Sequence, residues 1–295
     1  MSEVRQRWRL VFARDEEARY LAHLDAVRLW ERAFRRGGIP VATSEGFSPR
    51  PKLVFAAPLQ LGMLAEHELA DLFLADRLAA PDLRDRLAAG MPRGYRVVDL
   101  YDVWVGARAI APQLVAADYR MTLLNVEAVQ VEMAAARLMA AESLPRERRR
   151  ETRSAPYDLR PLLLDLRAAP ADPATIPPDA TEAPATALWM RLRHSQDKGA
   201  GRAEEVAAAL ADELGLVAEV GSVPNEEAAV ADAAEAVGAT PTMPGPARQL
   251  AGTPVGRSAA PAGGSPGDRT AFGRTVLEVV RPVRERLWLA DELSG

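Results

Sequence analysis

Residues 19 to 62 constrain the fold more tightly than any other stretch, because an amphipathic helix, an abrupt Gly-Gly stop, a proline-bracketed loop and an apolar strand follow one another directly. At about 100° per residue, Val27, Trp30 and Phe34 fall on one side, with Leu24 and Ala26 flanking and His23 in the same stripe, as in a helix laid on a core. Arg28, Arg32, Arg35 and Arg36 fall on the other side, and Asp25 is placed to pair with Arg28. Gly37-Gly38 ends the helix: glycine takes the left-handed conformation that satisfies the last carbonyls, while the arginines of the final turns complement the negative end of the helix dipole. In Ser44-Glu45-Gly46-Phe47-Ser48-Pro49-Arg50-Pro51-Lys52, two prolines and a glycine restrict the loop and hold Phe47, Arg50 and Lys52 in a limited space.

Around this stretch the hydrophobic period alternates between that of strands and that of helices. Trp8, Leu10 and Phe12 alternate with Arg7, Arg9 and Val11, the period of a half-buried strand. Strands are predicted over Lys52 to Ala57, Glu66 to Leu74 and Tyr95 to Trp104, and a helix opens at Ala80-Pro81-Asp82 and runs to Gly90. The order β-α-β-β-α-β is that of a ferredoxin-like unit.

The order then repeats. A strand is expected over 115–123, and a helix capped by Asn125 with Val126, Val129, Met133 and Ala140 inside. Strands over 157–167 and 187–193, a helix over 202–214 and a strand over 216–220 complete it. The expected architecture is therefore α+β: two tandem ferredoxin-like halves, 1–110 and 111–223. Residues 168–184 read as a long loop. Residues 224–273, rich in Ala, Gly, Pro and acidic side chains, read as a disordered linker, and 274–295 as a short C-terminal segment that adds a strand or helix.

Composition narrows the function. With 26% charged and 48% hydrophobic residues and no apolar run long enough for a bilayer, the chain reads as soluble. The start, MSEVRQRW, has no apolar signal region, so the cytoplasm is the expected location. The absence of cysteine excludes disulfides, thiolate zinc sites and cysteine-held iron-sulfur clusters. Three scattered histidines with no carboxylate cluster give no metal site, and no cofactor motif is present.

The net charge of −4 hides an uneven distribution. Residues 19–52 carry seven basic and three acidic side chains, and residues 146–153 five arginines and two glutamates. Arginine suits bidentate phosphate contact, although a GC-rich genome also enriches it. Arg28, Arg32, Arg35, Arg36, Phe47, Arg50, Lys52, Arg148, Arg149 and Arg150 are accordingly the candidate nucleic-acid contacts, the arginines on phosphate and Phe47 on a base or as loop anchor; the alternative for the helix is a solvated face. Trp189, Arg191 and Arg193 alternate on one face of a strand, where the tryptophan either stacks on a base or packs in the core. His23 is placed either as a general base or as a structural histidine. Gly199-Ala200-Gly201-Arg202 suits an anion at a helix N-terminus or an ordinary turn.

YLAHLD, ERAFRRGGIP, SEGFSPRPK and FAAPLQLG resemble, in order and spacing, the radical SAM-associated family of unknown function. RERRRETR, YDLRPLLLDL and LRHSQDKGAGR extend the likeness over roughly residues 5 to 222. Members of that family occur alone or as the C-terminal part of larger B12-binding radical S-adenosylmethionine enzymes. Lacking the cysteines of such a cluster, this chain is expected to be an accessory: it binds RNA and acts beside a separate radical SAM enzyme. Two alternatives are a metal-independent endoribonuclease using His23 and a protein interaction module for the radical SAM partner.

Overall fold

The computed structural model describes residues 3–44, 49–150, 153–180, 183–220, 270–271 and 274–292. Strand β1 (Gln6–Arg14) is followed by helix α1 (His23–Arg36), a short strand β2 (Leu53–Phe55), a long strand β3 (Leu64–Leu74), helix α2 (Ala80–Gly90) and strand β4 (Tyr95–Val103). These strands pair in the order β4-β1-β3-β2, every pairing antiparallel. On one face Trp8, Leu10, Phe12, Leu72 and Leu74 meet Ala26, Trp30 and Phe34 of α1 and Leu83 and Leu87 of α2. Leu24, expected at the margin of the stripe, is half exposed.

The Gly37-Gly38 pair has two separate causes. Gly38 sits in the left-handed region at φ 61°. Gly37 keeps a right-handed conformation, but a Cβ there would collide with the Arg86 carbonyl oxygen of α2. Gly90 is under the same constraint from the other side, since its Cβ would strike the Ala33 carbonyl oxygen. The two helices thus touch backbone to backbone at their C-terminal ends, where Arg36 donates to the Gly90 carbonyl at 2.9 Å and Arg86 to that of Gly38 at 2.6 Å.

Strand β5 (Leu114–Leu124) and helix α3 (Ala128–Ala140) begin the second part. Asn125 does not cap α3; it turns the chain at φ 64°, and Glu127 is the cap, in a reciprocal box with Gln130. This start sets the buried stripe at Val131, Ala134, Ala135 and Leu138 and leaves Val129 and Met133 exposed, unlike the expected inner face. The strand expected over 157–167 is broken by a turn at Arg160-Pro161-Leu162, because proline cannot donate to a ladder. It becomes a hairpin, β6 (Pro145–Arg150) with β7 (Arg153–Asp158), and a separate strand β8 (Leu163–Pro170). Strands β9 (Ala185–Ser195) and β10 (Gly199–Ala200), helix α4 (Ala203–Leu214) and strand β11 (Val217–Val220) follow. Leu188, Met190 and Leu192 of β9 form a core with α3 and α4.

The linker expected over 224–273 lies outside the described residues, except for Thr270 and Ala271, which form β12 on the strand that follows. That strand, β13 (Arg274–Leu289), is the centre of the molecule rather than an appendage. It pairs antiparallel with β5 and parallel with β3, so the whole is one mixed sheet, β10-β9-β5-β13-β3-β1-β4, with β2, β8, β11 and β12 attached. Strand β11, expected as the last strand of the second half, pairs with β13 and not with β5. Its four residues cannot cover β5, whereas the sixteen of β13 span it. The fold is α+β, a large mixed sheet with four helices among the described residues.

Candidate nucleic-acid interface

Helix α1 presents Arg28, Arg32, Arg35 and Arg36 to solvent, because the opposite side is committed to the core through Trp30 and Phe34. Arg28 meets Asp25 at 3.3 Å, an exposed pair one turn apart that contributes little. Arg36 is tied to the Gly90 carbonyl. Arg32 and Arg35 have no ion pair or hydrogen bond among the described residues. Like charges at neighbouring turns of one helix repel, so this face is costly to the isolated helix and ready for an anion.

The loop after α1 is closed by a bridge between Thr43 and Pro51 and by hydrogen bonds joining Ser44 and Arg50. Arg50 is exposed. Phe47 lies outside the described residues. Lys52 points to a different surface from the α1 arginines. Its ammonium sits 4.6 Å from the centre of the Phe73 ring, and Phe73 alternates with Leu72 and Leu74, which face α1. Lys52 therefore serves the side of the sheet away from the helix.

The second basic cluster is largely internal. Arg148, half-buried, is held by Glu205 of α4 at 3.2 Å and stacks 4.7 Å from the Tyr157 ring. Arg146 pairs with Asp212, two turns further along the same face of α4. These arginines strap the β6–β7 hairpin to acidic α4, which a reading of the local sequence misses because Glu205 and Asp212 are far away in the chain. The side chains of Arg149 and Arg150 lie outside the described residues.

Trp189, Arg191 and Arg193 point away from the helices, opposite the buried Leu188, Met190 and Leu192. Most of the cations there are already compensated, while Arg193 donates to the Pro161 carbonyl at 3.1 Å. Arg191 pairs with Asp118 at 2.7 Å, Arg286 with Glu292 at 3.0 Å and Arg167 with Asp165 at 3.0 Å. Trp288 lies against both Arg191 and Arg286 and donates to Asp118 at 2.8 Å. Gly199-Ala200 forms the return strand of a hairpin with Ser195 and His194, so the turn falls just before it, at 196–198.

His23 lies edge-on to Phe55, with ring centres 5.5 Å apart, and burial together with the Arg14 charge lowers its pKa. With Arg14, Glu68 and Tyr95 it lines a cavity of about 20 Å³. That is room for a water molecule and not for a nucleotide.

Sequence reasoning did not find the buried seam beneath the FAAPLQLG segment. Arg14 donates to the carbonyls of Gln60 and Met63, Arg19 to Gly62, and Arg284 to Pro58, while Gln60 reaches Glu204 at 2.9 Å. Arg284 also grips Glu68 with two hydrogen bonds, both residues at most 3% exposed. Nearby His194 is held at a pKa of about 4 by burial and by the charge of Arg284. The only advance signal was the presence of charged residues inside apolar strand patterns.

Among the described residues no group of three or more His, Cys, Asp or Glu is placed to hold a metal, and no helix is long and apolar enough to cross a membrane. No curated protein matches the chain. Residues 7–199 match the profile of a family described as uncharacterized protein conserved in bacteria (DUF2344), and with that span covering more than half of its length the chain belongs to this family.

Proposed function

We propose that this protein binds structured RNA on the arginine face of α1 and acts in the cytoplasm as a non-catalytic accessory to a separate radical SAM enzyme. The observation that carries the RNA assignment is the exposure of Arg32 and Arg35, which have no acidic partner among the described residues, between Arg28 and Arg36 on one rigid helix. A helix face spaces guanidinium groups for the phosphate backbone, and Arg50 in the following loop extends the set. Arg148 and Lys52 are secondary, being engaged elsewhere. The radical partner rests on the resemblance of YLAHLD through FAAPLQLG. On the same reading, the chain comprises two ferredoxin-like units, 1–110 and 111–223.

The test is a salt titration of binding to a radiolabelled RNA hairpin. The slope of log affinity against log salt is expected to fall by about 1 for each of Arg32→Ala and Arg35→Ala. Cleavage of the hairpin in chelator, lost in His23→Ala, would instead support the endoribonuclease. Co-purification of the radical enzyme unchanged by ribonuclease, with no RNA affinity, would support the protein interaction module.

A further inference from the structure

A cleft of about 500 Å³ opens where β13 is wedged between β3 and β5. It lies on the face away from the helices, since Arg120 in its wall alternates with the core residues Tyr119 and Met121. The ladders lose register four times around it, one of them between Val11 and Phe12 on the β1–β4 ladder, opposite Val98. Another irregularity falls between Phe12 and Arg14 on the β1–β3 ladder, and two fall on the β13–β5 ladder, between Val280 and Val283 and between Arg284 and Arg286. Such irregularities re-aim side chains and gather beside binding sites. One also holds a strained residue. Arg281, with φ 46°, occupies the left-handed region that side-chain-bearing residues avoid, and it lines the cleft.

The charges are loosely held where they matter. Arg120 is fixed by Glu66 at 2.8 Å and Glu285 at 2.6 Å. Arg281 touches Glu16 at only 3.8 Å, both partly exposed. Arg96, exposed on the rim, has no ion pair among the described residues. Leu64, Val98 and Val283 give the cleft an apolar floor. The volume falls within the range of small-molecule sites, which combine such a floor with a few polar groups that fix orientation.

We propose that this cleft binds a phosphate monoester carried on a nucleoside-sized body, with Arg96 and Arg281 on the phosphate and the body over Leu64, Val98 and Val283. Two weakly committed guanidinium groups match the charge of a phosphate dianion, whereas a single carboxylate, even bridging both, balances only half of it. The source is either a free nucleotide or the phosphorylated end of an RNA. The site is separate from the α1 face, so either assignment can fail alone.

Calorimetric titration of the full chain tests it, using adenosine 5′-monophosphate, adenosine, and a short RNA with and without a 5′-phosphate. Saturable binding of the monophosphate, at least about tenfold tighter than adenosine, is expected, with a loss of about tenfold in Arg96→Ala and none in Arg32→Ala. Arg96 is exposed, and an unchanged melting temperature verifies that its variant is folded. Preference for the phosphorylated RNA over the monophosphate identifies an RNA end as the source, and the reverse identifies a free nucleotide. Absence of saturable binding by both, or affinity unaltered in folded Arg96→Ala, overturns the proposal.

Discussion

Arg284 and Glu68 meet on the helix-covered face from strands far apart in sequence, and both are almost completely buried. Removing one partner strands the other charge in a low-dielectric site, which costs about 3–5 kcal/mol. Glu68→Gln is therefore expected to lower stability by that order in urea unfolding, while Glu68→Gln combined with Arg284→Met recovers part of the loss. His194 imposes a pH dependence of known sign. In the unfolded chain it titrates near 6.5, but in the folded protein burial and the charge of Arg284 hold it at about 4. The contribution of neutral His194 is complete above pH 6.5 and is lost as pH falls, because the unfolded chain takes up the proton first. By pH 5 the loss approaches about 2 kcal/mol. His23, shifted in the same direction, adds to it. Between pH 6.5 and 5 the urea midpoint should fall less in His194→Gln than in the parent, and parallel falls would remove this assignment. The α1 arginines could be placed from periodicity alone, since a helix fixes which residues share a side. The partner of Arg148 could not, because an ion pair to Glu205 across the fold leaves no mark on the local pattern.

Elements with a clear local period were legible: α2 runs over the expected residues, and β1, β3 and β4 lie within a few residues of theirs. The stripe of α3 was misplaced because the helix starts at the Glu127 cap rather than at Asn125, which rotates the buried face onto Val131 and Leu138. The contact between α1 and α2 depends on Gly37 and Gly90, whose Cβ positions are filled by the backbone of the opposite helix. Gly90→Ala must push the helices apart, and a loss of about 2 kcal/mol or more is expected in thermal unfolding. An unchanged melting temperature would show that α2 can shift without cost. Gly38→Ala places a Cβ in open space but at positive φ, so its smaller cost reports conformation alone.

At the scale of the molecule, β13 joins what the sequence suggested were separate parts, and its position was hidden because strand partners follow from long-range packing rather than local period. Ending the chain at residue 273 removes the strand between β3 and β5 and leaves Glu68 without Arg284. Hydrogen exchange of such a truncation should show lost protection in β3 and β5 alike, whereas protection retained in both would make β13 dispensable. The net charge of −4 gives the whole chain no general attraction to polyanions, so any affinity for RNA must come from a local surface. Salt-dependent binding of an RNA hairpin by the parent and by the Arg32→Ala, Arg35→Ala double variant tests that surface directly. A slope reduced by about 2 in the double variant is the expected result; equal slopes and affinities for the two proteins would contradict it.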